Sequence, residues 1–380
     1  MNILKFHYII IIVIILNCMF SGCSTSEEKE VIKKVVPWIP MDDPSILPDW
    51  IDGTYHNYYD TLDVLSELQI KYPDFVNVFS IGKSVLGKDI WCIRVTNESN
   101  NGNKYACVID GCIHGNEWEA GEACLYLAEY LLINSENNKT LRNILNISEI
   151  YLIPLLNPDG RQIDERWNAN GIDLNRNFDV HFGRLRSKNY PLGKLFGKIK
   201  IPYIHHRLLN TYSTNCGRYA FSEPETSALK NFMQSIDRLS FYVNCHTAVH
   251  IIAAQGDITY KPEYTISTHE RAVTNTVMDW VTDHTEYPGI HGEDFEYTGI
   301  GCASDWVYKE YTIPSFIFEL LNQDYEPMYG HGKHDHLVHW MQTTLPVFMY
   351  LLMNIKPLYH WQIPDIEPLL PEGIPPEPMK

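Results

Sequence analysis

A histidine and a glutamate stand three residues apart in the sequence His114-Gly115-Asn116-Glu117. A neutral imidazole nitrogen and a carboxylate oxygen are two of the ligand types that zinc accepts. The apolar run from Tyr105 to Ile113 predicts a buried strand before the pair, and helical spacing of apolar residues predicts a helix from Trp118 to Ile133. The pair therefore falls at a strand-to-helix junction, where α/β sheets bind ligands. The same spacing also fits a surface histidine beside a capping glutamate, so the metal interpretation depends on the rest of the chain.

Two further polar residues accompany apolar runs. His246 follows the predicted strand from Phe241 to Cys245, and Glu319 closes the run within Thr312 to Leu320. A buried charge is costly unless it is paired or bound to a metal. With His114 and Glu117 these residues supply three protein ligands and one spare carboxylate, which is the composition of a hydrolytic zinc site. Taken singly, each of them also fits an ordinary structural residue.

Strands alternate with helices along the chain, which predicts an α/β fold. We expect a single domain with a central mixed, largely parallel sheet flanked by helices on both faces. Further strands are predicted at Val76 to Ile81, Ile90 to Val95 and Ile150 to Leu156. Further helices are predicted at Tyr58 to Ile70, Glu223 to Ile236, His269 to Thr282 and Asp335 to Met353.

Composition excludes some classes of protein. The 380 residues are 45% hydrophobic and 12% aromatic, which is typical of a packed globular chain. The formal net charge is −17, so a phosphate backbone would repel the chain and nucleic acid is not an expected partner. The nine cysteines show no CxxC spacing, and several lie in apolar runs, which favours buried thiols over disulfides.

The N-terminus has the features of an export signal. Lys5 precedes a long apolar run, and Phe20-Ser21-Gly22-Cys23 resembles a lipoprotein box. We expect a signal peptide over residues 1–22 and a polar tether over 23–52. The signal peptide could be removed with lipid attached to Cys23, be cleaved nearby in the ordinary way, or remain as a membrane anchor. The catalytic domain is predicted at 53–355 and a proline-rich tail at 356–380. The location would be extracytoplasmic, secreted or tethered to the cell membrane.

The most specific stretch lies between the candidate ligands. It contains Asn157-Pro158-Asp159-Gly160 and then Gly171-Ile172-Asp173-Leu174-Asn175-Arg176-Asn177-Phe178. With HGNE before it and CHT and FIFEL after it, the chain resembles the zinc metallocarboxypeptidases of the carboxypeptidase A/B family. The resemblance extends over about Tyr55 to Ile355, and it implies one Zn²⁺ ion.

The resemblance also implies roles for individual residues. His114, Glu117 and His246 match the zinc ligands, and Glu319 matches the general base. Asp173 matches the carboxylate that orients the first histidine. The residues implied to act on the substrate are Arg166 (polarising the scissile carbonyl), Asn175 and Arg176 (holding the terminal carboxylate), Tyr297 (covering the bound C-terminus) and Ser304 (at the pocket floor). Because serine is neither acidic nor aliphatic, it leaves the preferred side chain open.

Three functions remain to be weighed. The first is an exopeptidase acting on peptides with a free C-terminal carboxylate. The second is a cell-wall peptidase that cuts a γ-D-glutamyl bond to a diamino acid, which a lipid-tethered position would suit. The third is a catalytically inactive binding module, although every matched position is filled. We expect a monomer with no partner beyond the substrate and the membrane.

Overall fold

The computed structural model describes residues 55–182, 216–247, 249–255, 265–294, 301–320 and 334–365, with the backbone alone for 334–339. All of these residues belong to one compact unit. The predicted signal peptide and tether, Tyr297 and most of the proline-rich tail lie outside the described residues.

Eight described strands form one sheet in the order β1-β2-β4-β3-β5-β8-β6-β7. The pairs β4-β3, β3-β5 and β5-β8 are parallel, and the pairs β1-β2, β2-β4 and β6-β8 are antiparallel. The sheet is thus mixed with a parallel centre, as the sequence predicts. The strands are β1 (Val76–Lys83), β2 (Asp89–Val95), β3 (Tyr105–Asp110), β4 (Ser148–Ile153), β5 (Leu239–Thr247), β6 (Ile251–Ala254), β7 (Gly289–Ile290) and β8 (Ser315–Leu320).

Two of the described helices begin at a capping box. The Asn57 and Ser267 side chains each accept a hydrogen bond from the first turn of a helix and form a capping box with an acidic residue. The helices are α1 (Tyr58–Lys71), α2 (Trp118–Ser135), α3 (Lys139–Ile147), α4 (Pro158–Gln162), α5 (Pro224–Met233), α6 (Thr268–His284), α7 (Ala303–Tyr311), α8 (His334–Met353) and α9 (Ile355–Tyr359).

Both faces of the sheet are covered. Because alternate residues of a strand point to opposite faces, Cys107 and Ile109 of β3 pack into one apolar cluster with α2, α6 and α8. Ala106 and Val108 pack into a second cluster with α5 and α7. The predicted fold class, a single α/β domain with helices on both faces of the sheet, is therefore confirmed.

The element boundaries differ from the predictions at several places. The predicted strand from Tyr105 ends at Asp110, since the chain turns at Gly111, where a Cβ would lie 2.2 Å from the Ala120 carbonyl oxygen. Strands β6 and β7 were not predicted because four and two residues are too few to show a period. Packed structure also continues past residue 355, because α9 buries Leu358 completely. Within the described part of the chain, no helix has both the length and the apolarity needed to cross a membrane.

Candidate metal centre

The two candidate histidines lie at neighbouring carboxyl ends of the sheet. His114 is in the short loop after β3, and Glu117 immediately precedes α2. His246 is the penultimate residue of β5, which pairs in parallel with β3. Because parallel strands end at the same edge, the fold brings together residues that are 132 positions apart.

Three ligand atoms converge at this edge. His114 Nδ1 lies 2.7 Å from Glu117 Oε1, and His246 Nδ1 lies 2.7 Å from Glu117 Oε2. The two Nδ1 atoms are 3.2 Å apart. All three residues are buried, and within the described residues they form the one group of this kind able to hold a metal ion. Both imidazoles therefore present the same ring nitrogen to a shared point.

The other ring nitrogen of His114 faces Asp173. His114 Nε2 lies 3.2 Å from Asp173 Oδ1, so it can donate its N–H to the carboxylate. Asp173 also accepts from Arg166 Nε through Oδ2 at 3.0 Å. A proton held on Nε2 leaves the lone pair of His114 on Nδ1, where the three ligand atoms meet.

The far nitrogen of His246 has a partner that the motifs do not indicate. His246 Nε2 lies 2.5 Å from Asn244 Oδ1 and 3.2 Å from Asn175 Nδ2. The available signal for Asn244 was its position two residues before His246 on the same strand, because such residues share a face.

Arg166 lies over the ligand group. Its Nη1 atom is 3.1 Å from His114 Nδ1 and 3.4 Å from Glu117 Oε1, and its side chain is 12% exposed. Its backbone carbonyl accepts from Gly115 N–H at 3.3 Å. A Cβ on Gly115 would lie 2.1 Å from the Gly160 carbonyl carbon, so only glycine permits this close packing of loops.

Asn175 and Arg176 lie on a 3₁₀ turn, Leu174–Arg176, which Asp173 caps by accepting from Asn175 N–H at 3.1 Å. Asn175 Oδ1 accepts from Ala303 N–H at 2.8 Å. Arg176 Nη1 donates to the Asn175 carbonyl oxygen at 2.6 Å and lies 3.3 Å from Cys302 Sγ. Both predicted substrate-binding residues are thus buried against the start of α7.

Ser304 also lies at the start of α7 and is 1% exposed. Its Oγ has no hydrogen-bond partner among the described residues. The neighbouring Cys302, which contacts Arg176, was not singled out from the sequence, since a single cysteine in a glycine-containing loop carries no distinctive pattern. Tyr297 is outside the described residues.

Glu319 lies opposite His246 in the register of β5 and β8. Its Oε2 atom is shielded from solvent and has no hydrogen-bond partner in the described part of the chain. Burial raises the pKa of Glu319 to about 8, and the negative charge of Glu117 adds to the rise, while Arg166 and Arg176 oppose it. A carboxyl oxygen that is shielded from solvent and has no partner is rare and costly in a structural role.

The other two carboxylates of the site stay ionised. Burial alone would raise the pKa of Glu117, but His114 and His246 outweigh it and hold that pKa below its ordinary value. Burial would likewise raise the pKa of Asp173, but Arg166, Arg176 and His114 lower it well below the usual range. The site therefore combines two anionic carboxylates with one carboxyl group that retains its proton more readily.

The loop that carries Arg166, Asp173 and Arg176 is anchored on α5. Asn168 Nδ2 donates to Glu223 Oε2 at 2.8 Å and to Glu225 Oε2 at 3.1 Å. Asn168 Oδ1 accepts from the N–H groups of Asn170 and Ile172, which closes the turn. These buried hydrogen bonds hold the positively charged side chains beside the ligand group.

Two imidazoles and a carboxylate are the ligand set of many catalytic zinc sites, which leave one position open for water or substrate. The donor atoms fit such an ion, because His114 Nδ1, His246 Nδ1 and Glu117 converge and the far nitrogen of each imidazole has a hydrogen-bonding partner. With Glu319 nearby, the arrangement is suited to hydrolysis.

Most of the chain matches the model of a known protein family. The model of the zinc carboxypeptidase family matches residues 61–333. The chain belongs to the zinc carboxypeptidase family. The predicted family is therefore confirmed, and the match spans every described residue of the candidate centre.

Known members are distant in sequence. Carboxypeptidase O of Bos taurus is 26% identical over 318 residues, which cover 78% of this chain and 76% of that protein. Carboxypeptidase A6 of Mus musculus is also 26% identical, over 70% of this chain and 60% of that protein, so this chain spans less than two thirds of its length. The crystal structure of carboxypeptidase A from Helicoverpa armigera has a TM-score of 0.60 at 19% identity, over 81% of this chain and 74% of that chain. That likeness concerns the fold.

Proposed function

We propose that this family member is an active zinc-dependent carboxypeptidase that hydrolyses the C-terminal peptide bond of peptides. The observation that carries the proposal is the convergence of His114 Nδ1, Glu117 and His246 Nδ1 on one point with Glu319 nearby, whose Oε2 atom has no hydrogen-bond partner among the described residues. A structural cluster would need no such carboxyl group.

In this proposal His114, Glu117 and His246 hold the ion. Bound zinc supplies the Lewis acidity that activates water near neutral pH. Glu319 takes the proton of the attacking water and returns it to the leaving amine, so no proton is gained or lost over the cycle. The raised pKa of Glu319 suits both halves of that exchange.

The cationic residues act on the substrate. Arg166 donates to the carbonyl oxygen as negative charge develops there, an interaction worth about 3–4 kcal/mol in other hydrolases. Arg176 binds the terminal carboxylate, because its planar guanidinium matches two oxygens at once, and Asn175 assists. Tyr297 covers the bound C-terminus and Ser304 lies at the pocket floor. All five assignments are supported by the family resemblance, and those other than Tyr297 also by where the residues lie.

The decisive variant is Glu319→Gln, which keeps the shape of the side chain but removes the base. We expect kcat to fall by about 10² to 10⁴ while one zinc ion per chain remains bound, measured by metal analysis. Glu67→Gln is the matched control, because Glu67 is exposed on α1, and it should keep full activity. Full activity of Glu319→Gln would remove Glu319 from the mechanism.

The substrate assay uses peptides that differ only at their ends. We expect release of one amino acid from peptides with a free C-terminus and none from amidated peptides, followed by mass spectrometry. Cleavage of muropeptides at the γ-D-glutamyl bond instead would establish the cell-wall peptidase. Stoichiometric binding of peptides without turnover would establish the binding module.

We further propose that residues 1–22 direct export and that Cys23 carries the lipid that tethers the enzyme outside the cytoplasm. The support is the sequence pattern alone, because these residues lie outside the described part of the chain. Metabolic labelling with a fatty acid should mark the wild-type protein and not Cys23→Ser. Equal labelling of both proteins would contradict lipidation at this residue.

A further inference from the structure

Three alternate residues of β5, Tyr242, Asn244 and His246, share one face of the strand and are all buried. Asp110 lies opposite Asn244 in the register of β3. The Tyr242 hydroxyl donates to one oxygen of Asp110, and Asn244 Nδ2 donates to the other. Asp110 is therefore the fixed end of a buried chain of hydrogen bonds that reaches His246.

This chain determines which way the Asn244 amide faces. An asparagine side chain has one donor group and one acceptor oxygen. Because Nδ2 is bound to Asp110, Oδ1 must face His246 Nε2, at 2.5 Å. An oxygen at that position accepts the proton on Nε2, and a neutral imidazole carries only one proton. The lone pair of His246 is then on Nδ1, the atom that faces Glu117 and His114.

We propose that Asn244, anchored by Asp110 and Tyr242, is a positioning residue that sets the tautomer of His246 and so makes Nδ1 its metal-binding nitrogen. This inference rests on the zinc site of the proposed function. Asn244 would do for His246 what Asp173 does for His114, with a neutral amide in place of a carboxylate.

The side chain of Asn175 favours the other tautomer of His246. Its orientation is fixed by the bond from Ala303 N–H to Oδ1, which directs Nδ2 at the same His246 Nε2, 3.2 Å away. That donor favours the other tautomer, in which Nε2 accepts and Nδ1–H donates to Glu117 Oε2. The shorter contact from Asn244 favours the Nε2–H tautomer, which leaves Nδ2 of Asn175 available to a substrate carboxylate. The tautomer of His246 therefore also affects whether Asn175 can bind the substrate.

The test measures zinc affinity by competition with a chromogenic chelator, without using enzyme activity. Asn244→Ala removes the acceptor, and we expect zinc to bind about 10–100-fold more weakly. Ser240→Ala is the matched control, because Ser240 is equally buried on β5 but bonds to the Ile355 carbonyl, away from the site. It should bind zinc as the wild type does.

A paired exchange provides the rescue. Combining Asp110→Asn with Asn244→Asp reverses the donor and acceptor between the two positions yet still presents an oxygen to His246 Nε2, so zinc affinity should recover relative to Asn244→Ala. Nitrogen-15 spectra of histidine-labelled, metal-free protein give a direct readout, with the His246 signals assigned by His246→Gln. They should show the Nε2–H tautomer in the wild type and its partial loss in Asn244→Ala.

The outcomes separate this inference from the proposed function. Asn244→Ala that binds zinc as tightly as Ser240→Ala overturns the inference and leaves the zinc site intact. Wild-type protein that binds no zinc overturns both. A zinc-binding protein without carboxypeptidase activity, in which Asn244→Ala still weakens the metal, overturns the proposed function and keeps the inference.

Discussion

The guanidinium of Arg166 bridges two parts of the site, and a single charge could not replace it. Nε donates to Asp173 Oδ2 at 3.0 Å, while Nη1 lies 3.1 Å from His114 Nδ1 and 3.4 Å from Glu117 Oε1. Arginine forms both contacts because its donors lie in a rigid plane, whereas lysine offers one compact ammonium group on a flexible stem. Charge alone would therefore preserve neither the position nor the direction of the donor.

We predict that Arg166→Lys lowers kcat by about 10²–10³, because one oxyanion donor is lost or displaced, while zinc stays bound. Steady-state kinetics and metal analysis on the same sample measure the two effects. Arg142→Lys is the control, since Arg142 is exposed and, among the described residues, its hydrogen bonds go to backbone carbonyls at the end of α2. A kcat equal to that of the wild type would show that charge without direction is enough at this position.

The sequence indicated these residues unequally. His114 and Glu117 are three residues apart, so their meeting could be predicted from local spacing, whereas the contact of Asp173 with His114, 59 residues away, was implied by the resemblance to the family. The spacing of two residues could place Asn244 on the face of His246, but the contact of Asn244 with Asp110 could not be predicted, because it is defined by strand register and register depends on tertiary packing. The same is true of the contact between Cys302 and Arg176, which are 126 residues apart.

At the scale of elements, buried carboxylates at the start of α5 hold the loop that carries Arg166, Asp173 and Arg176. Glu225 accepts from Val85 N–H at 3.0 Å and from Asn168 at 3.1 Å, and its side chain is fully buried. Burial raises the pKa of Glu225 to about 7; its hydrogen bonds partly offset the rise, and the nearby charge of Glu223 adds to it. The ionised carboxylate would accept these hydrogen bonds more strongly, but burial and the charge of Glu223 outweigh that gain, so the folded protein favours Glu225 with its proton.

This raised pKa makes stability depend on pH. A carboxyl group whose folded pKa exceeds its unfolded value favours folding below the unfolded pKa, near 4.5, and that contribution falls as pH rises towards 7. Glutamine stays neutral at every pH. We therefore predict that the unfolding free energy of Glu225→Gln, relative to that of the wild type, rises by about 2–3 kcal/mol from pH 5 to pH 8. Urea unfolding at each pH measures the free-energy difference between the two proteins. The protonation of all other groups contributes equally to both proteins and cancels in that difference. With Glu67→Gln as the exposed control, a difference independent of pH would contradict a raised Glu225 pKa.

Elements were predictable where their pattern was long. An apolar run or helical spacing predicted most of the long elements, although their observed ends differ from the predicted ones. These elements are β1 to β5, β8, α1, α2, α5, α6 and α8. Helix α7, which carries Ser304, was not predicted. Its buried residues, Ala303 to Tyr308, are consecutive and include both polar and apolar side chains, so they show no helical spacing of apolar residues. It is held by tertiary contacts such as the ring packing of Trp306 on Phe178 and Phe221.

At the scale of the whole molecule, the C-terminal limit of the folded unit lies beyond the predicted boundary at residue 355. Leu358 is completely buried in the main apolar cluster. Trp361 Nε1 donates to the Thr312 carbonyl at 3.0 Å, and Asp365 N–H donates to Asn354 Oδ1 at 2.8 Å. The proline at 357 suggested a tail, but proline is compatible with the first turn of a helix, which is where α9 places it.

We predict that a chain ending at 365 is as stable as the full-length protein and that a chain ending at 355 loses about 3 kcal/mol or more. The loss follows because removing Leu358 alone forfeits about 1.5–3 kcal/mol of burial, and the hydrogen bonds from Trp361 and Asp365 disappear with it. Urea unfolding of the three proteins measures the difference. Leu358→Ala in the full-length chain is the control that separates packing from the new chain end, and a cost of about 2–5 kcal/mol is expected for it. If all of these proteins unfolded at the same urea concentration, α9 would lie outside the cooperative unit, and the domain would end at 355 after all.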